Sequence, residues 1–196
     1  MPAQMTVANT VIEQPKEPAS YLEAITCSDS NFWIPAIFEE YDSLIQNQTW
    51  ELCELPPGRQ AIKGKWVLKY KPGYKDTPPR FKARFVACGY SQVYGIDYLE
   101  TYAPVVKYHS LRVILAIAAA KDLNMKQLDI KTAFLNGDLD EEIYMIQPEG
   151  FITPGREKEV CHLRKSIYGL KQASRAWSKK FNEFLLFFGL TRSQAD

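Results

Sequence analysis

The chain has 196 residues, enough to bury a hydrophobic core in one domain or two closely joined lobes. Its composition, 46% hydrophobic, 24% charged and 13% aromatic, is ordinary for a globular protein and favours neither a disordered nor a fibrous class. The longest aliphatic run, residues 113–120, is far shorter than the roughly 20 residues of a membrane span, and the N-terminus lacks the pattern of a signal peptide. We therefore expect a cytoplasmic or nuclear protein.

The net charge of +1 hides a strong asymmetry along the chain. Residues 1–58 carry nine acidic side chains and one basic side chain, Lys16. Between residues 59 and 84 the only acidic side chain is Asp76, and nine are basic: Arg59, Lys63, Lys65, Lys69, Lys71, Lys75, Arg80, Lys82 and Arg84. This basic segment fits a polyanionic partner, and it fits equally a solvated hairpin whose charges discourage edge pairing.

The first predicted element is a helix that follows a proline-rich start. Residues 1–19 have little periodicity, and we expect them to form a flexible leader. Apolar side chains then recur on one helix face: Trp33, Ile37, Tyr41, Leu44 and Ile45. Ser30 or Asn31 is the expected N-cap, and Asn47 is the expected end.

The basic segment itself predicts a β-hairpin. Residues 62–71 and 80–88 alternate with period two, and the turn formers of "PGYKDTPP" separate them. Phe81, Ala83, Phe85 and Ala87 are expected on one face of the second strand. Lys82 and Arg84 then project together from the other face.

The second half of the chain predicts alternating helices and strands. Ser110 is the expected cap of an apolar helix over residues 111–123, whose composition indicates near-complete burial. "MKQLDI" predicts a short strand from which Asp129 faces away from its aliphatic neighbours, and residues 141–148 and 159–165 predict two more strands. The final helix has an apolar stripe and ends at Gly189: Trp177, Phe181, Phe184, Leu185 and Phe188. This order of elements favours an α+β fold with an antiparallel sheet and packed helices.

The four cysteines indicate neither a zinc site nor a disulfide framework, because they are far apart and form no C-x-x-C pair. We expect them to be reduced and partly buried. Cys161 and His162 are adjacent, but neighbours on a strand point to opposite faces and cannot form a nucleophile–base pair.

Asp129 is the most informative single residue, although an isolated Asp more often caps a turn than binds a metal. Its string "LDIKTAFLNG" is followed by "EEIYMIQPEGF" and then by "SIYGLKQASRAW". In this order the strings resemble the reverse transcriptase of copia-type retrotransposons, which is encoded in a Pol polyprotein. The likeness extends from about residue 18 to the C-terminus.

The resemblance implies a right-hand polymerase, of which this chain would supply the fingers and part of the palm. In chain order we expect N-terminal helices and the fingers hairpin (20–104), a palm segment (105–137), a return to the fingers (138–172) and a partial palm helix (173–196). Asp129 aligns with the first of three palm carboxylates that hold Mg²⁺, and the backbone carbonyl of Ile130 is a further expected ligand. The implied partners are an RNA or DNA template with its primer and deoxynucleoside triphosphates.

The resemblance also assigns roles around the nucleotide. Lys82 and Arg84 match the cations that grip the triphosphate, and Thr132 and Ala133 would offer backbone N–H groups to the phosphates. Phe134 matches the ring that excludes a 2′-hydroxyl, although without the motif it would be interpreted as a core aromatic. The base and template would be supported by one turn, formed by Tyr168, Gly169, Lys171 and Gln172.

This sequence departs from the family pattern in three places. Ser174 replaces a common Pro, and Cys88 replaces a common Lys. More important, the 196 residues contain no Asp-Asp dipeptide, so the Tyr-x-Asp-Asp hairpin is absent. We therefore expect a partial polymerase that is inactive as an isolated chain. Two alternatives are a non-catalytic nucleic-acid-binding remnant and a structural partner of the remainder of a Pol polyprotein.

Overall fold

The computed structural model describes residues 15–74 and 77–191 and has an α+β fold. Its elements are α1 (Tyr21–Thr26), α2 (Ser30–Gln46), β1 (Trp50–Cys53), β2 (Gly64–Lys71), β3 (Arg80–Ala87), α3 (Tyr108–Ala120), β4 (Tyr144–Ile146), β5 (Val160–Leu163) and α4 (Ala173–Phe187). Two short 3₁₀ turns cover Gly89–Ser91 and Ala133–Asn136. No helix among the described residues is long and apolar enough to cross a membrane.

The predicted hairpin is confirmed. Strands β2 and β3 pair antiparallel, with Trp66 opposite Phe85 and Leu68 opposite Ala83. These four side chains are buried, whereas Lys82 and Arg84, which alternate with Ala83 and Phe85 along β3, are only partly covered. The period-two pattern therefore separates an apolar face from a cationic face as expected.

A second antiparallel sheet has the strand order β1-β5-β4. The predicted strands over 141–148 and 159–165 exist as the shorter β4 and β5, while β1 was not predicted. Trp50 lies opposite Leu163 across β1 and β5. The segment before β2 joins this sheet, because the N–H of Ile62 donates to the carbonyl of Tyr144 at 2.7 Å.

Helix α2 closes the core over the hairpin. Its N-cap is Asp29 rather than Ser30 or Asn31, and Asn47 ends it as predicted. Trp33, Ile37 and Leu44 are buried, but Ile45 is 47% exposed, so the expected stripe is one residue too wide. One core cluster contains residues of α2, both sheets and the turn before α4. These elements therefore share a common interior.

The expectations for α3 are wrong in two respects. The helix begins at Tyr108, next to Lys107, so Ser110 lies inside the helix and does not cap it. Only Ala118 is buried, and the large apolar side chains of this helix are 41–59% exposed (Leu111, Val113, Ile114, Leu115 and Ile117). Composition indicates that a helix has apolar surface to bury, but burial requires a partner.

The strand predicted over residues 125–130 is not formed in the structure. Alternating side chains make a strand only where another strand accepts and donates hydrogen bonds, and no described strand pairs with this segment. Leu128, expected to anchor it, is 85% exposed. Asp129 therefore lies on an irregular segment.

The two ends of the described chain differ. Residues 1–14 of the expected leader and Asp196 lie outside the described residues, but Pro18 is buried and Glu17 pairs with Lys69 of β2. Helix α1 begins where the Ser20 hydroxyl accepts the N–H of Glu23 at 3.2 Å. Helix α4 ends as predicted, with Gly189 at φ +75°.

Candidate functional site

A cleft of about 340 Å³ lies between α2, β3 and the segment that contains Asp129. Six of the residues predicted to act together line it: Lys82, Arg84, Asp129, Ile130, Thr132 and Tyr168. These residues come from three segments that are far apart in sequence. The fold therefore brings the two cations and the carboxylate of the prediction into one site.

Strand β3 supplies the positive wall of the cleft. Alternation along the strand places Arg80, Lys82 and Arg84 on the same side. Partial burial lowers the pKa of Lys82, and the charges of Arg84, Arg80 and Lys71 lower it further. An anion in the cleft would relieve this repulsion, so the arrangement favours a negatively charged ligand.

An aromatic turn forms the floor beneath the cations. The guanidinium carbon of Arg84 lies 4.9 Å from the ring centroid of Tyr168, and that ring meets Phe134 edge-on at 4.7 Å. The carbonyl of Tyr168 accepts the N–H of Ala87 at 2.8 Å. A cation–π contact and a backbone hydrogen bond thus hold the turn against the end of β3.

The close approach of this turn depends on Gly169. Its φ is +91°, and a Cβ atom there would lie 2.1 Å from the carbonyl oxygen of Ala87. No side chain fits in that space, so glycine is required both by the backbone angle and by the contact. Gly169 thus lets the turn pack on β3, and its predicted support of the base and template stays a prediction.

The segment after Asp129 turns sharply toward Phe134. Asp129 is exposed and lines the cleft, and Thr132 has left-handed backbone angles, φ 51° and ψ 40°. Ala133 then begins the 3₁₀ turn, whose Leu135 N–H donates to the Thr132 carbonyl at 2.8 Å. Positive φ is strained for a β-branched residue, and such strain is concentrated at functional sites.

Helix α2 supplies a third wall that sequence reasoning missed. Glu39, Glu40 and Ser43 line the same cleft as the cations of β3. Glu40 accepts the N–H of Phe85 at 3.3 Å. Burial raises the pKa of its carboxyl, although the Phe85 N–H and the charges of Arg84 and Lys82 oppose this shift. No local signal in the sequence pairs this helix face with β3.

Lys171 and Gln172 lie away from the cleft lining. Gln172 is buried, accepts the side-chain N–H of Gln92 at 3.0 Å and donates Nε2 to the Asp97 carbonyl at 2.9 Å. The ammonium of Lys171 lies 5.0 Å from the ring centroid of Tyr98. In this structure both residues tie the Tyr168 turn to the loop after β3.

The described residues do not complete a metal site. Within 15–74 and 77–191, no three side chains of the His, Cys, Asp or Glu type are grouped so that they could hold one ion. Asp129 and the Ile130 carbonyl would supply fewer oxygen ligands than an octahedral cation takes, so waters and substrate oxygens would have to supply the others. The donor set present therefore does not fit Mg²⁺ without further ligands.

The cysteines are free within the described residues, as expected. Burial raises the pKa of Cys161 to about 12, and the charge of Cys53 adds to the shift. The neighbouring His162 stacks on Tyr144 with ring centroids 4.8 Å apart. A thiol that stays protonated at neutral pH is a poor nucleophile, which agrees with the expectation that Cys161 and His162 do not form a nucleophile–base pair.

Comparison with known proteins places these features in a family. The family model described as reverse transcriptase (RNA-dependent DNA polymerase) matches residues 47–196. The match begins after α2, so the acidic wall of the cleft lies outside the matched range. No solved structure matches the chain.

Among similar curated proteins are three retrovirus-related Pol polyproteins. That of transposon TNT 1-94 from Nicotiana tabacum is 49% identical over 89% of this chain. Those of transposons RE1 and RE2 from Arabidopsis thaliana are 40% and 42% identical over 92% and 88% of it. The chain spans only 12–13% of the length of these polyproteins.

Proposed function

The chain belongs to the reverse transcriptase (RNA-dependent DNA polymerase) family, as its resemblance to copia-type Pol polyproteins implied, and we propose that its cleft receives an incoming deoxynucleoside triphosphate. The observation that carries this proposal is the meeting of Lys82, Arg84, Asp129 and Tyr168 in one cleft. In this proposal β2 and β3 are the fingers hairpin, and residues 105–137 are the first palm segment.

The cationic wall would bind the phosphates. Arg84 offers a planar fork of donors, and its contact with the Tyr168 ring holds that fork at a defined orientation. Lys82 adds a point charge, and its pKa is lowered first by partial burial and then by the neighbouring cations. Backbone N–H groups at Thr132 and Ala133 would complete the phosphate contacts, as the family resemblance implies.

Phe134 would discriminate between sugars. The ring is half-buried and its position is restrained by Tyr168, while the hydroxyl of Ser166 donates to the Phe134 carbonyl at 2.6 Å. A ring held in this way presents a fixed surface, so a ribose 2′-hydroxyl that clashes with it is not easily accommodated. Template and primer would lie across the same face of the protein.

A divalent metal is general in this family, and Mg²⁺ is the ion that we propose. Asp129 and the Ile130 carbonyl would be its ligands from this chain, but they do not complete the coordination shell. We therefore propose that these 196 residues do not extend a primer. The test is primer extension with Mg²⁺, template–primer and deoxynucleotides. Extension that Asp129→Asn abolishes would refute this proposal.

The nucleotide cleft itself is tested by binding of dTTP, measured by isothermal titration calorimetry at low ionic strength. Arg84→Ala should weaken binding by about tenfold, the loss expected for a hydrogen bond to a charged group. The matched control is Lys65→Ala, which removes an exposed cation of the same hairpin outside the cleft lining. Equal losses of dTTP affinity in both variants would mean that binding reflects general charge attraction, and the proposed site would be rejected.

A second candidate function is assembly with other parts of a Pol polyprotein, which would cover surfaces that this chain leaves open. The large apolar side chains of α3 are half exposed, and Phe187 of α4 is 84% exposed. Apolar patches of this kind mark interaction sites. Size-exclusion chromatography with the remaining Pol segments tests assembly, and an unchanged monomer peak for both components would contradict it.

A further inference from the structure

Helix α2 packs on β3, where the Phe32 and Trp33 rings meet Phe81, and Glu40 adds a hydrogen bond to the strand backbone. The Glu40 carboxylate accepts the N–H of Phe85, which points away from β2 at the free edge of β3. Arg84 precedes that N–H and contributes its guanidinium to the cleft. The bond therefore fixes the backbone next to the cation that the proposed function uses.

The neighbouring Glu39 provides a contrast within the same cleft. Both acids line it, but Glu39 is exposed and makes no hydrogen bond to any residue that the structure describes. Glu40 is half-buried, and burial raises the pKa of its carboxyl, although the Phe85 N–H and the nearby charges of Arg84 and Lys82 oppose that shift. Two adjacent carboxylates thus differ in whether they hold the strand that carries the cations.

We propose that Glu40 is a positioning residue for phosphate binding: through the Phe85 N–H it holds the edge of β3 so that Lys82 and Arg84 converge on the ligand. This inference rests on the proposed nucleotide cleft and deepens it, because it brings a helix outside residues 47–196 into the site. Glu40 acts through β3 and does not contact the ligand.

Positioning and plain electrostatics predict opposite signs for one substitution. Any acid beside an anion site opposes binding, so charge alone predicts that Glu40→Ala tightens the binding of an anion. If Glu40 positions the cations, Glu40→Ala weakens binding although a negative charge has been removed. Glu40→Gln removes the charge but keeps a carbonyl oxygen that accepts the Phe85 N–H, so binding is retained or tightened.

The experiment is titration of the full chain with inorganic tripolyphosphate at low ionic strength, without metal. We expect Glu40→Ala to weaken binding by about threefold to tenfold, as for loss of one hydrogen bond that orders a charged site. Glu40→Gln and the control Glu39→Ala should each tighten it by about twofold, the scale of an exposed charge interaction. Circular dichroism and thermal melting identify variants that fail to fold. Among folded variants, tight tripolyphosphate binding by Glu40→Gln but not by Glu40→Ala supports the positioning role.

The outcomes separate the two proposals. If the wild-type chain does not bind tripolyphosphate, or if Arg84→Ala has no effect, the nucleotide cleft is rejected. If Arg84→Ala weakens binding while Glu40→Ala tightens it as Glu39→Ala does, the cleft stands and the positioning role of Glu40 is overturned. If Glu40→Gln weakens binding as much as Glu40→Ala, the role of the carbonyl acceptor is likewise overturned.

Discussion

Replacing Gly169 with alanine tests whether the approach of two backbones builds the floor of the cleft. The new Cβ would lie 2.1 Å from the Ala87 carbonyl oxygen and 2.7 Å from Cγ1 of Val86, so the turn must move away from β3. The positive φ of Gly169 costs an L-residue about 1–2 kcal/mol. Loss of the hydrogen bond from Ala87 to the Tyr168 carbonyl costs about 1 kcal/mol more.

Together these costs predict that the free energy of unfolding falls by about 2–3 kcal/mol, or that Tm falls by about 5–10 °C for a chain of this size. The matched control is Gly155→Ala, because Gly155 has φ +80° but nothing within 4 Å of its Cβ position. It should show only the backbone cost. Urea denaturation of both variants measures the difference, and equal losses would refute the close-approach argument.

Three further predictions concern the same chain. Thr132→Asn should raise the free energy of unfolding by about 0.5–1 kcal/mol in urea denaturation. The reason is that Asn tolerates the left-handed backbone angles of this position better than a β-branched residue does. A destabilised variant would show that Thr132 is not strained. Burial raises the pKa of Cys161 above its ordinary value of 9 to about 12. The folded state therefore holds the thiol proton more tightly than the unfolded state, and the free energy of unfolding should be highest below pH 9 and fall as the pH rises toward 12. Denaturation at pH 8 and 11 checks this sign, with Cys161→Ala as the variant in which this part of the pH dependence should be absent. Finally, Lys82→Glu with Arg84→Glu should flatten the salt dependence of RNA binding in fluorescence anisotropy, and an unchanged slope would place the phosphate contacts elsewhere.

Local chemistry explains which elements could be predicted. The hairpin was predicted correctly because alternation and turn formers act over a few residues, and the resulting faces place Lys82 and Arg84 together. Helix α2 and helix α4 followed from apolar stripes at helical spacing, and Asn47 and Gly189 mark their ends. The family was also predicted correctly, since its motifs are long and occur in a defined order.

The wrong predictions about strands and helix burial share a cause, which is that each needed a partner far away in sequence. Residues 125–130 have the alternation of a strand, but no described strand lies beside them. Helix α3 has an apolar composition, but the described residues leave its large apolar side chains about half exposed. Strand β1 was missed because its four residues become a strand only when β5, more than a hundred positions later, pairs with them.

From sequence alone one could assign the family, the hairpin and the candidate residues Lys82, Arg84 and Asp129, because motif order and strand alternation are properties of the chain itself. Sequence could not show that Glu40 of α2 meets the edge of β3, or that the Gln172 side chain forms hydrogen bonds with Gln92 and with the Asp97 carbonyl. Such contacts join residues separated by tens of positions. They exist only after packing brings the segments together, since hydrogen bonds and charge interactions depend on distance in space.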